Sequence, residues 1–136
     1  MDLASQKRLL QAIVVILCLV PLSASLAGIL LGPRAFFVGF GGDADLDSHF
    51  RYLSGIFLGV AIGFLSCVPG IERKGERFLA LTGLVMLGGA ARAYALAVAG
   101  APSWPHLAGL GLELGVVPLL AYFQARLAGA YGRARI

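Results

Sequence analysis

Charge is scarce in this chain, and that scarcity excludes more than any motif does. Only 13% of its 136 residues are Asp, Glu, Lys or Arg and 59% are apolar, against roughly 25% charged in soluble domains. A soluble chain this short has too little interior for so much apolar surface, because the buried fraction falls as chains shrink. The mean hydropathy of +0.87 agrees, and lipid is the solvent that accommodates the excess. Cysteine is nearly absent. Cys18 and Cys67 both lie inside apolar runs, which argues against an extracellular disulfide framework and leaves packing as their role. No CxxC or Cys/His constellation offers a structural zinc site, so neither a metal nor a cofactor is expected. A P-loop is missing too, as is any nucleophile and base at usable spacing; Ser23, Ser25, Ser54, Ser66 and Thr82 read as small helix-packing residues. An enzyme is the less favoured class, with His49 as general base its one candidate. The net charge of +4 sits in short clusters without a continuous basic face, so nucleic acid is not an expected partner.

What the chain does have is four long apolar segments, at residues 9–31, 52–68, 78–99 and 107–125. Turns rich in Gly, Pro and charge separate them, and each is close to the length of about 20 residues that crosses a hydrocarbon core of about 30 Å as an α-helix. Without water to satisfy the backbone, helices are the economical spanning structure, and the alternation of a β-barrel is lacking. The expected fold is all-α, a polytopic four-transmembrane-helix bundle forming one domain over residues 1–136. Pro21 should bend the first span. The basic start and the small-residue run Ser23-Ala24-Ser25-Leu26-Ala27 also fit a cleavable leader. Continuation of the apolar run through Leu31 favours a span; a mature N-terminus near Gly28 would leave three.

Lys and Arg divide unevenly between the two sides. Lys7, Arg8, Arg73, Lys74, Arg77, Arg126, Arg133 and Arg135 fall on one, and only Arg34 and Arg51 on the other. The positive-inside rule therefore puts both termini in the cytoplasm. Small residues recur every four positions: Ala24, Gly28 and Gly32 in the first span, Gly55, Gly59 and Gly63 in the second, Gly111 and Gly115 in the fourth. Such faces let helices approach closely, within the bundle or between copies.

Three polar features remain. The stretch from Gly41 to Arg51 holds Asp43, Asp45, Asp47, His49 and Arg51; it lacks the offsets of a calcium loop, and Asp47 or Ser48 is expected to cap the second helix. Arg92 lies seven residues, about 10 Å, below the end of span three, and Glu113 six residues, about 9 Å, below the start of span four. A lone charge near the bilayer centre costs about 2.5–3.5 kcal/mol, so equal depth predicts an ion pair. His106, beside Trp104, is assigned to the outer interface rather than to a span. Asp47, His49, Arg51, Arg92 and Glu113 are thus the ligand-binding candidates, either as an interhelical clasp or as an anion, lipid-headgroup or small-ligand pocket open to the outer side.

Three strings, Asp47-Ser48-His49-Phe50-Arg51-Tyr52-Leu53-Ser54-Gly55, then Gly88-Gly89-Ala90-Ala91-Arg92, then Leu112-Glu113-Leu114-Gly115-Val116-Val117-Pro118, occur in order across the four segments. In this the chain resembles the bacterial domain-of-unknown-function 4345 family of small membrane proteins, over nearly its whole length. The resemblance implies a bacterial inner-membrane location and points to His49, Arg51, Arg92 and Glu113, without supplying a substrate. The leading expectation is a non-enzymatic protein acting through lipid or protein contacts, as a homo-oligomer or as an accessory subunit of a larger membrane complex. The alternative is a binding or transport protein using the pocket around Arg92 and Glu113.

Overall fold

The computed structural model describes residues 2–134, and within them every regular element is helical. Five α-helices follow one another: α1 (Leu3–Leu31), α2 (Ala44–Cys67), α3 (Gly75–Ala99), α4 (Trp104–Gly111) and α5 (Val117–Arg133). A 3-10 turn, Gly32–Ala35, extends α1; a second, Ile71–Arg73, precedes α3; and a π-helical turn, Leu112–Val116, joins α4 to α5. Four stretches are long and apolar enough to cross a membrane: Leu3–Ala35, Ala44–Cys67, Gly75–Ala99 and Trp104–Arg133. Large apolar side chains stand outward on them, as at Leu30, Leu79 and Leu87, exposed by 72%, 65% and 69%. Water would penalise that surface; lipid does not.

The helices begin earlier than hydropathy suggests, because capping rather than apolarity sets a helix start. Asp2 Oδ1 accepts the Ser5 amide at 2.7 Å, ahead of Lys7 and Arg8. In α2 the cap is neither Asp47 nor Ser48, as expected, but Asp43, whose Oδ1 accepts the Leu46 amide at 2.7 Å. That correction moves Asp45 and Asp47 into the first turn, where acids favour the positive end of the helix dipole. Arg135, counted above among the basic residues, lies outside the described residues.

Contacts group the chain into two compact units: Ala12–Pro69, and Gly70 onward together with the opening turns of α1 up to Gln11. In the first, a Cβ added at Gly28 would collide with the Ser54 hydroxyl and come within 3.2 Å of the Phe50 ring, so the absence of a side chain at Gly28 lets α1 and α2 approach closely. Cys18 and Cys67 are buried free thiols, and the Cys18 thiol lies 3.9 Å from the Ala61 carbonyl oxygen. Beyond Pro21 the helix continues without a break, and the buried Ser25 hydroxyl donates to the Pro21 carbonyl.

In the second unit the turn before α3 is buried at Ile71, and the Ile71 carbonyl accepts from Gln124 Nε2 of α5 at 2.8 Å. Lys7 Nζ stands 3.0 Å from Glu72 Oε2 and lies over the Tyr131 ring. None of these contacts carries a local sequence signal. Gly89 is the close-approach glycine of this unit: a Cβ there would meet Leu114 at 2.8 Å and Glu113 Cβ at 3.0 Å. By contrast, Gly55, Gly59, Gly111 and Gly115 have no heavy atom within 4 Å of where a Cβ would stand. Within the chain, close approach is made at Gly28, one of the positions singled out by spacing, and at Gly89, which the spacing does not single out. Gly63 is half-buried, and its carbonyl accepts the Ser66 hydroxyl at 2.6 Å.

Candidate functional site

Arg92 and Glu113 meet as equal depth predicts. Nε of Arg92 donates to Glu113 Oε2 and Nη2 to Oε1, both at 3.0 Å, a fork-to-fork pair whose side chains are 33% and 13% exposed. Two parallel charge-assisted hydrogen bonds fix the planes of both groups. Glu113 reaches Arg92 from the π-helical turn. Val117, at the end of that turn, donates its amide five residues back to Leu112, and Pro118 follows with no amide to offer. The wide turn changes the phase of span four at the level of the carboxylate.

A third member was missed from the sequence. Arg92 Nη1 lies 3.0 Å from His106 Nδ1. A guanidinium only donates, so Nδ1 accepts and the imidazole in this arrangement is neutral with its proton on Nε2. α4 starts at Trp104, three residues before the apolar run opens at Leu107, with Pro105 in its first turn, so His106 lies within the helix and its ring is held toward Arg92. The signal was present: residues 106 and 113 are seven apart, two helical turns, and share a face.

Asp47 and Arg51 form a separate pair in the other unit. Arg51 Nε donates to Asp47 Oδ2 at 2.6 Å and Nη2 to Oδ1 at 3.3 Å. Its Nη1 donates to the carbonyls of Ile29 and, at 3.2 Å, Leu30, the last turn of α1, where orphan carbonyls and the negative end of the helix dipole favour a cation. Gly32 follows at φ +65°, a left-handed position, and a Cβ on it would strike Asp47 and Arg51. Phe36 and Phe37 pack against Phe50 with ring centroids 5.7 and 5.9 Å apart. An open cavity of about 660 Å³ lies here, bordered by Arg34, Asp47, Ser48 and Arg51 on its polar side and by Leu30, Leu31 and Phe40 on its apolar side. His49 is exposed and does not line it.

The candidates therefore fall into two sets: Arg92, His106 and Glu113 in one unit, Asp47 and Arg51 in the other, with His49 in neither cluster. A family model described as "Domain of unknown function (DUF4345)" matches residues 9–124. No curated protein and no solved structure matches.

Proposed function

The chain belongs to the DUF4345 family, and from that premise we propose a non-catalytic, multi-pass protein of the bacterial cytoplasmic membrane, both termini cytoplasmic, that works through contacts with lipid and neighbouring membrane proteins. The observation that carries this reading is the pairing at depth. Arg92 and Glu113 satisfy each other in a bidentate bridge, while the faces around them remain apolar and outward. A charge pair closed in this way acts as an interhelical clasp rather than as a path for ions. The orientation rests on the eight basic residues gathered at one side. Alkaline phosphatase fused after Pro102 and a green fluorescent reporter fused at the C-terminus test it. Active phosphatase with bright C-terminal fluorescence is expected; loss of both signals would overturn the orientation, and one signal without the other, which puts Pro102 and the C-terminus on the same side, would overturn the span count.

A second reading, an anion or headgroup site centred on Arg92, is favoured by the π-helical turn, a feature concentrated at functional sites. Arg92 also keeps N–H groups beyond the three in use. A folded Arg92→Ala protein that loses an anionic ligand would establish it; loss of folding alone would leave the clasp.

A further inference from the structure

The cavity beside α2 is not part of the Arg92 clasp, and its lining has its own chemistry. We propose that it binds a phospholipid, the phosphodiester resting against Arg34 and the acyl chain lying along Leu30, Leu31 and Phe40. The proposal rests on the membrane placement above, and it names the lipid contact that placement leaves general.

Charge bookkeeping selects the ligand. Three charged residues line the cavity: Arg34, Arg51 and Asp47. Arg51 and Asp47 neutralise one another in the forked pair, and the Nη1 group of Arg51 is committed to the end of α1. Arg34 is exposed and makes no ion pair within 4.0 Å among the described residues. Arg34 also feels the Asp47 carboxylate, but two guanidinium groups against one carboxylate leave the lining one positive charge in excess, which matches the single negative charge of a phosphodiester that a guanidinium recognises in planar, two-pronged fashion. Ser48, also exposed at the cavity wall, offers a hydroxyl donor beside it.

Position and size agree. Arg34 sits in the 3-10 turn directly after the apolar run of α1, where a spanning helix leaves hydrocarbon and phosphates lie. The same loop carries Phe36, Phe37 and a wholly exposed Val38, apolar groups that favour the headgroup and acyl boundary. About 660 Å³ falls within the range of ligand pockets, and the apolar wall is contiguous with the lipid-facing end of α1. The site is also preorganised. Gly32 permits the turn, and Arg51, clamped by Asp47 and by the α1 carbonyls, holds the floor rigid before any ligand arrives.

The test uses the full chain purified in a neutral maltoside detergent and titrated with dihexanoyl phosphatidylglycerol, with inorganic phosphate and dihexanoylglycerol as separate probes. Calorimetry and native mass spectrometry read the binding. The intact protein is expected to bind the phospholipid at least about tenfold more tightly than either probe, since headgroup and chain both contribute. Arg34→Ala should weaken binding about tenfold and Arg34→Lys less. Ser48→Trp, which fills the cavity from an exposed position, should abolish it. Undiminished binding in both Arg34→Ala and Ser48→Trp would overturn the proposal. Equal affinity for inorganic phosphate would overturn the lipid and leave an anion site. Absence of phospholipid binding by a protein whose two reporters both give signal would sink the site alone; any other reporter pattern would sink the placement on which it rests.

Discussion

Removing the Arg92 guanidinium leaves a carboxylate only 13% exposed with its strongest donors gone, and His106 without its partner. A half-buried charge stranded in this way costs about 2–3 kcal/mol, so Arg92→Ala should lower the thermal midpoint in detergent markedly. The double variant Arg92→Ala with Glu113→Ala should recover at least half of that loss, because the desolvated charge goes with its partner. Additive losses in the cycle would show that the pair contributes no coupling. This pair was legible from the sequence because depth in a membrane can be counted along a helix at 1.5 Å per residue, without knowing how the helices pack. His106 was hidden by a boundary error of three residues: the apolar run starts at Leu107, while the helix starts at Trp104. Hydropathy records where lipid begins, not where the first turn closes.

The segment between α2 and α3 shows what periodicity does not reach. Its register depends on Gly70, at φ +73°, on the Gln124 side chain reaching the Ile71 carbonyl, and on Lys7 reaching Glu72 across 65 positions of sequence. Pairings between distant residues leave no trace in a local window, so the sequence presented this segment only as a charged turn. Burial alone would push the Glu72 carboxyl up, but the Lys7 ammonium and the charge of Arg73, 3.7 Å away, prevail and hold it below its ordinary 4.5. A carboxyl lowered by folding contributes stability above its unfolded value that disappears as pH falls through the folded one. Cooperative unfolding in detergent should therefore occur at lower temperature at pH 4 than at pH 7, with Glu72 contributing to the difference. Glu72→Gln should be less stable at pH 7 and show a flatter acid dependence. An unchanged slope in that variant would assign the effect to another carboxylate. The cap of α2 teaches the same lesson on a smaller scale: Asp43, Asp45 and Asp47 are equivalent in composition, and only the loop geometry selects Asp43.

At the scale of the whole chain, scarcity of charge made the all-α spanning fold legible, since no other solvent tolerates this composition. In the proposed orientation, the same scarcity leaves control to the few charges at the ends of the apolar stretches. Arg73 and Lys74 lie between the second and third spans and Arg77 in the first turn of α3, against a following connection, Gly100 to Ser103, that contains no Lys or Arg. Translocating these three cations is disfavoured, whereas passing the neutral connection is not, so the insertion of α3 and span four is biased in one direction. Exchanging the bias should remove that preference. Arg73→Asn, Lys74→Asn and Arg77→Asn combined with Ala101→Lys and Ser103→Lys leave the Arg92 clasp untouched and reach a span only at Arg77, in the first turn of α3. They should cut C-terminal fluorescence by about half, with a matching loss of phosphatase activity after Pro102. Removing Lys7 and Arg8 in addition should deepen the loss, because the first span then offers no competing anchor. If the five substitutions leave both reporters at full signal, orientation is set by α1 and α2 alone. The second hairpin would then follow passively, and the basic turn would owe its charges to the Glu72 contact rather than to topology.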